Sequence, residues 1–135
     1  MDLTKALTIS ASGMNAQGSR LRVIAENLAN QDTTGSSPGA APYRRKTITF
    51  ADSLDRQAGT KVVTVAAIGE DPSAFPLRYD PSNPAANAQG YVQLPNVNSF
   101  MEMMDMREAE RSYDANLSVM QATRSMLTRT IDLLK

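Results

Sequence analysis

The stretch SFMEMMDMREAERSYDANLSVMQATRSMLTRTIDLLK, residues 99–135, contains no proline or glycine and repeats large residues at every seventh position. A second row follows at alternating steps of three and four residues, which is the spacing of an apolar stripe on one long helix. The two rows are Met106, Tyr113, Met120, Leu127 and Leu134, and Met103, Glu110, Leu117, Arg124 and Ile131. A neighbouring stripe, which we call the outer stripe, consists of Ala115, Val119, Ala122, Met126 and Leu133. Because a helix that is apolar on two sides needs more than one neighbour, we expect the fold to be organised around covering it.

The start of this helix is marked by Ser99, which is followed three residues later by Glu102. In a capping box, each of these two side chains bonds a backbone N–H that the first helical turn leaves unpaired. We therefore predict a capping box and a helix that begins at Ser99. The methionines at 101–106 point to different sides of this helix, which favours an interface over a peptide-binding groove.

Residues 3–30 predict a second long helix. Its interleaved rows are Leu7, Met14, Leu21 and Leu28, and Leu3, Ser10, Gln17 and Ile24. The pattern is weaker here because Gly13 and Gly18 each cost about 1 kcal/mol relative to alanine inside a helix. Such a helix is marginal alone and forms when it is packed. The same pattern also fits an ordinary amphipathic helix of a monomer, so the residues alone leave both interpretations open.

All seven prolines lie between Pro38 and Pro95, which separates the middle of the chain from both helices. We predict an N-terminal helix at 1–30, a loop and small β-rich outer segment at 31–95, and a C-terminal helix at 96–135. Short strands are expected at 43–50, 61–68, 77–79 and 91–94, between turn signals. The predicted fold class is mainly α, with two long terminal helices paired antiparallel as a coiled-coil-like core and a small β-rich or irregular insertion.

Composition excludes several classes of function. The chain has no cysteine or histidine, which removes thiol chemistry, disulfides and most transition-metal sites. Its formal net charge is zero, so no overall field attracts nucleic acid. No apolar run is long enough for a membrane-spanning helix, and the first residues do not have the pattern of a cleavable signal peptide. We predict no catalytic residues, no metal site and no cofactor.

Two charged groups have a functional and a structural interpretation. Acidic residues crowd the start of the last helix, where they could form an acid–base pair but more simply complement the helix dipole. The triplet Arg44-Arg45-Lys46 could bind an anionic polymer. We favour a solvated strand edge, or a bridge to acids on a neighbouring chain, because no basic groups support the triplet elsewhere.

Several motifs are similar to those of one known family. VIAENLANQDT at 23–33 is centred on Asn27-Leu28-Ala29-Asn30, and PYR at 42–44 follows it. YDPSNP at 79–84, GYV at 90–92 and PNVN at 95–98 lead into the last helix, which then contains EMM at 102–104 and RSYDAN at 111–116. These motifs resemble the bacterial flagellar basal-body rod family, and most closely its proximal rod class. Residues 52–75 match no part of that family.

The resemblance implies a structural subunit that assembles with copies of itself and with other flagellar rod proteins. The assembly would be a hollow helical axle in the periplasm, which transmits torque and conducts exported proteins. Such subunits leave the cytoplasm through the flagellar type III export apparatus without a cleaved signal. The resemblance also implies that the terminal helices pair and line the tube, with the middle segment outside. No nucleic acid and no catalytic reaction are expected.

The predicted assembly interface combines the apolar rows of both helices with amide and arginine side chains that set register. Its residues are Leu7, Met14, Leu21, Ile24, Asn27, Leu28, Asn30, Arg44, Arg45, Met106, Arg111, Tyr113, Leu117, Met120, Leu127, Ile131 and Leu134. We expect Asn27 and Asn30 to cap or cross-link the end of the first helix, and Arg44, Arg45 and Arg111 to form ion pairs between subunits. The competing interpretation is a soluble coiled-coil adaptor or secreted binding protein. An enzyme is a distant third.

Overall fold

The computed structural model describes residues 2–134, which form two helices and four strands. In chain order they are α1 (Leu3–Ala29), β1 (Lys46–Asp55), β2 (Thr60–Glu70), β3 (Leu77–Tyr79), β4 (Tyr91–Gln93) and α2 (Ser99–Asp132). β1 and β2 form one two-stranded sheet, and β3 and β4 form another. The long terminal helices and the four predicted strand regions are confirmed.

The predicted fold class is wrong. Helices account for 46% of the chain and strands for 20%, so the fold is a mixture of helix and strand rather than mainly α. The largest difference lies in β1 and β2, which have 10 and 11 residues and extend beyond the short segments that the sequence predicted. Once two β segments pair, each residue added to one strand also gains partners on the other, and this lengthening is not visible in either segment alone.

The contact between the helices is also unlike a coiled coil. The buried positions of 3–21 and 106–132 are occupied by small side chains, namely Ser10, Ala16, Ala109 and Thr123. The large heptad residues beside them are half-buried or, at Ile131, exposed. A coiled coil needs large apolar knobs at these central positions. The small residues instead allow close approach, and the large ones are covered incompletely.

Contacts group the chain into two compact units. The first contains the described residues up to Leu21, Ile48–Ala67 and the residues from Met106 onward. The second contains Arg22–Thr47 and Ile68–Asp105. The predicted division at 1–30, 31–95 and 96–135 follows secondary structure and stays a prediction.

The turn between β1 and β2 is formed by residues 56–59. The side chain of Asp55 accepts hydrogen bonds from the backbone N–H groups of Gln57 (2.9 Å) and Ala58 (3.1 Å). Gly59 then adopts a positive φ of 60°, which glycine reaches without a steric penalty. An exposed ion pair between Lys61 and Asp52 (2.8 Å) links the two strands near this turn.

The second sheet lies in the second unit and is antiparallel. Its paired residues are Leu77 with Gln93, Arg78 with Val92, and Tyr79 with Tyr91. Val92 is fully buried, and the rings of Tyr79 and Tyr91 meet edge to face with centroids 5.4 Å apart. Gly90 has a φ of 84°, and a Cβ atom there would lie 2.8 Å from the Tyr79 ring. Glycine is therefore required just before β4.

The start of α2 is confirmed at Ser99, but the predicted capping box is wrong. The side-chain oxygen of Asn98 accepts hydrogen bonds from the N–H groups of Phe100 (3.1 Å) and Met101 (3.3 Å), so Asn98 is the N-cap. The hydroxyl of Ser99 donates to Gln31 instead. The carboxylate of Glu102 instead accepts hydrogen bonds from Arg45 and Asn27, which are distant in sequence and are described below.

Two glycines in α1 provide a matched test of helix packing. A Cβ atom at Gly18 would meet nothing within 4 Å, whereas one at Gly13 would lie 2.8 Å from Nδ2 of Asn116. We expect Gly18→Ala to raise the free energy of unfolding by about 1 kcal/mol, the intrinsic helix gain. Gly13→Ala should gain little or nothing, because Asn116 must move and weaken its 3.0 Å hydrogen bond to the Ser112 carbonyl. Urea denaturation followed by far-UV circular dichroism measures both, and equal gains would contradict the close packing at Gly13.

Candidate assembly surfaces

The second unit is held together by a polar cluster made of Asn27, Tyr43, Arg45, Lys46 and Glu102. Asn27 is almost completely buried and uses both ends of its amide. Its Nδ2 donates to the Lys46 carbonyl (2.9 Å) and to Glu102 (3.3 Å), and its Oδ1 accepts from the Lys46 N–H (2.8 Å) and the Tyr43 hydroxyl (2.9 Å). One amide therefore ties the end of α1 to the start of β1 and to the first turn of α2.

Arg45 is the cationic centre of the polar cluster. Its Nε donates to Glu102, whose side chain is fully buried, and its terminal nitrogens lie 3.4 Å from Asp71 and 3.7 Å from Asp105. Burial alone would lower the pKa of the Arg45 guanidinium, but the hydrogen bond and charge of Glu102 raise that pKa above its usual value. A buried carboxylate needs such a partner, because an isolated charge in the interior is costly.

The segment before β3 is fixed to the polar cluster by side-chain amides and a second arginine. Asn96 accepts the Arg45 N–H (2.8 Å) and donates to the carbonyls of Asp71 (3.0 Å) and Ser73 (3.2 Å). Hydrogen bonds from Ser73 lower the pKa of the Asp71 carboxyl group, which stays charged beside Arg45. Arg44 also donates to the Asp71 carbonyl (2.8 Å) and lies 4.2 Å from the centre of the Phe75 ring.

The end of α1 is capped within the same unit. Nδ2 of Asn30 donates to the Glu26 carbonyl (2.8 Å), which satisfies a carbonyl that the helix end leaves free. Lys46 pairs with the Glu26 carboxylate (2.6 Å), and this hydrogen bond raises the pKa of Lys46. The amides of Asn27 and Asn30 therefore make their contacts within the chain, and their role between subunits stays a prediction.

The basic triplet makes contacts within its own unit, and its role between subunits stays a prediction. Arg45 and Lys46 form ion pairs with acids of their own unit, and Arg44 donates to backbone carbonyls there. Among residues 2–134, no three acidic side chains are grouped so as to hold a metal ion. The hydrogen bonds from Asn27 and Arg45 to Glu102 position the first turn of α2.

The first turns of α2 carry one exposed apolar surface of the second unit. We call it the methionine patch, and it is formed by Phe100, Met101, Met103 and Met104. Phe100 is 71% exposed, and the three methionines are each about half exposed. Phenylalanine and methionine are enriched at interfaces, where flexible thioethers adapt to irregular partners. A second exposed surface in the same unit consists of Leu77, Tyr79 and Tyr91 on the small sheet.

The first unit contributes two further exposed apolar surfaces. One lies on the sheet of β1 and β2 and includes Leu54, Val63 and Val65. Along α2 the outer stripe is exposed from Ala115 to Met126, and its last member, Leu133, which follows the end of the helix, is 87% exposed. A sheet of only two strands gains little stability alone, so exposed aliphatic residues on both strands suggest that this surface is covered in the working molecule.

The residues predicted for the assembly interface lie in both units. Those in the first unit are Leu7, Met14, Leu21, Met106, Arg111, Tyr113, Leu117, Met120, Leu127, Ile131 and Leu134, and those in the second are Ile24, Asn27, Leu28, Asn30, Arg44 and Arg45. Arg111, Ile131 and Leu134 are exposed, whereas the others are half-buried or buried. Their role between subunits stays a prediction. Arg45, expected to pair across subunits, pairs with acids of its own chain.

The surfaces omitted from that interface are the methionine patch, the outer stripe and the exposed sheet residues. Signals for the first two were present in the sequence, as methionines facing different sides and as a second apolar row. What was missing was a way to decide which of two apolar rows the chain itself covers. Among the described residues, no helix is both long enough and apolar enough to cross a membrane.

Comparisons with known proteins show which families the chain is similar to. The flagella basal body rod protein family matches residues 7–35, and the family described as flagellar basal body rod FlgEFG protein C-terminal matches residues 88–133. The flagellar basal-body rod protein FlgC of Agrobacterium fabrum is 53% identical over 133 residues, which cover 98% of this chain and 96% of that protein. The proteins of the same name from Bacillus subtilis and Salmonella typhimurium are 42% and 41% identical, over 95% and 98% of each chain respectively.

Proposed function

Since this chain belongs to the flagellar basal-body rod family, as a structural subunit of the FlgC type, we propose that it assembles with copies of itself and other rod proteins into the hollow proximal rod. The subunit transmits torque by its contacts and lines or surrounds a channel for exported proteins. It reaches the periplasm through the flagellar type III export apparatus and carries out no catalytic step.

The observation that carries this proposal is the imbalance between buried and exposed apolar side chains. Within residues 2–134, six apolar residues are buried and half of these are alanines, whereas seventeen large apolar residues are exposed. Isolated exposed apolar residues are normal, but contiguous patches on helices and sheets indicate binding surfaces. Sister subunits and other rod proteins are the partners that such patches would have in a rod.

The arrangement of the patches also suits a filament. Different surfaces are exposed on the small sheet, on the larger sheet and along α2. When one patch of a subunit binds a different patch of the next, the contact is heterologous and does not close on itself, so it generates a helical assembly. A chain with several unlike patches is therefore suited to polymerise.

We expect Phe100→Asp to prevent rod assembly while leaving export of the subunit intact. Phe100 lies in the first turn of α2, where an acidic side chain is favoured by the helix dipole, so the fold should tolerate the change. The charge would nevertheless stand in the centre of the methionine patch and oppose its burial. Electron microscopy of basal bodies, swimming assays and detection of the secreted subunit measure the result.

Gln89→Asp is the matched control. It places the same charge on an exposed loop of the same unit, where the Gln89 side chain takes no part in the methionine patch. Cells with this change should assemble rods and swim normally. Normal rods in cells with Phe100→Asp would show that the methionine patch is not an assembly surface.

A further inference from the structure

β2 carries an exposed segment whose composition favours pairing with another strand. Residues 63–70 of this strand are all exposed. Residues 62–68 have the sequence VVTVAAI, without charge, proline or glycine, and most of them are β-branched. Such segments pair with identical segments of other chains wherever a strand edge is open, and native proteins usually protect these edges. The state of the β2 edge therefore decides whether the free chain is exposed to this pairing.

The far edge of β2, by which we mean the edge that faces away from β1, is located by one hydrogen bond. Because only residues 56–59 separate the two strands, β1 and β2 are antiparallel. The backbone N–H of Val63 donates to the hydroxyl oxygen of Ser12 on α1 (3.2 Å), so it points to α1 rather than to β1. Backbone groups of an antiparallel strand point alternately to its two sides, so those of Val65 also lie on the far edge.

α1 lies beside this far edge but does not fill the space next to it. A groove of about 310 Å³ is lined by Ser12, Asn15, Ala16 and Ser19 of α1 and by residues 62–65 of β2. All of these residues belong to the first unit. The wall formed by α1 consists of small and polar side chains, which bury little apolar area against the strand. The hydrogen bond between Val63 and Ser12 therefore contributes a large share of this contact.

Ser12 has the right chemistry to accept this bond. Its hydroxyl donates its single proton to the Ile9 carbonyl, one turn earlier in α1 (2.7 Å), which leaves the oxygen lone pairs free to accept from β2. Alanine at this position would favour the helix more than serine does, because serine has the lower helix propensity. The serine is thus explained by its contact with β2 and not by the needs of α1.

We propose that Ser12 closes the far edge of β2 and thereby prevents a β2 strand of a second copy from adding to it. The hydroxyl occupies the N–H of Val63, which is one of the backbone groups that an added strand would need. A second copy is the partner excluded, because its uncharged residues 62–68 would meet the same uncharged residues without repulsion. This closure belongs to the free chain and does not depend on the proposed rod function.

Hydrogen exchange at the Val63 amide tests the closure directly. In the full-length chain, Ser12→Ala should raise the exchange rate of this amide about fivefold, as expected for the loss of one ordinary hydrogen bond. Ser12→Thr retains a hydroxyl and should keep exchange slow. Ser19→Ala is the matched control, because Ser19 lines the same groove but donates to the Asn15 carbonyl of its own helix (3.1 Å). Unchanged exchange of the Val63 amide in Ser12→Ala would refute the closure.

Thioflavin T fluorescence of the same purified chains tests the consequence. Ser12→Ala should increase the initial rate of cross-β association about fivefold, in proportion to the population with an open edge. Adding Val65→Lys should reverse this increase, because a lysine on an edge strand opposes strand addition. Adding Leu54→Lys instead should leave the increase in place, although it removes the more exposed side chain, 63% against 37%.

Two results of the fluorescence experiment would overturn the proposal. An unchanged rate in Ser12→Ala would show that the hydroxyl does not restrain strand addition. Equal suppression by Val65→Lys and Leu54→Lys would show that association follows exposed apolar area rather than the far edge of β2.

Discussion

Asn27→Asp is expected to lower the free energy of unfolding by about 3 kcal/mol. The change keeps the shape of the side chain but removes the donor that the Lys46 carbonyl and Glu102 share. It also places a second carboxylate next to the buried Glu102, at a position that was 3.3 Å away as an amide. Two neighbouring carboxylates cannot both remain charged in a buried site without a large cost. Urea denaturation followed by circular dichroism and tyrosine fluorescence measures the loss, and one of the tyrosines, Tyr43, donates to the same amide.

The pH dependence of this variant has a defined sign. The introduced carboxyl group has a raised pKa in the folded state, because the charge of Glu102 lies beside it. The folded variant therefore binds a proton more tightly than the unfolded chain, and the loss of stability should shrink as the pH falls through that raised pKa.

Asn30→Asp is the matched control for this experiment. Asn30 belongs to the same short motif but is only half-buried, and its amide donates to one helix carbonyl. We expect it to cost about 1 kcal/mol, the value of one lost hydrogen bond together with an unfavourable charge at the helix end. Equal effects at the two positions would contradict the central role of Asn27.

Arg45→Met should also cost about 3 kcal/mol, because it leaves the fully buried Glu102 without a cationic partner. The methionine retains much of the apolar volume of the arginine stem, so the loss reports mainly on charge. Removing the charge of the partner instead, by Glu102→Gln, should lower the free energy of unfolding by less. Arg45 is partly exposed and would still have Asp71 and Asp105 beside it.

The comparison of the two variants is the measurement that matters. Denaturation midpoints at neutral pH should fall further for Arg45→Met than for Glu102→Gln. The opposite order would mean that Arg45, rather than Glu102, is the group that most needs its partner. Both variants should also disturb the methionine patch, because the polar cluster fixes the first turn of α2, and rod assembly in cells would then decrease with stability.

Sequence patterns were sufficient for the elements whose signals are local. The seven-residue repeats and the absence of proline located both helices, Ser99 marked the start of the second, and β-branched segments located the strands. The motif around Asn27 and the run leading to Asn98 were sufficient for the family. Even so, the capping box was assigned to Ser99 and Glu102, because the sequence offers Asn98 and Ser99 as adjacent candidates and does not show what else Glu102 can reach.

Only the tertiary structure decided the rest. Asn27 and Glu102 are 75 residues apart, and their contact depends on how α1, β1 and α2 meet rather than on any spacing within one element. The length of β1 and β2 depends on their pairing with each other. The two apolar rows of α2 are similar as sequence, but small buried residues bring α1 close to one side of the helix and leave the outer stripe exposed. A row of residues determines which side of a helix is apolar, whereas its neighbours in space determine whether water reaches that side.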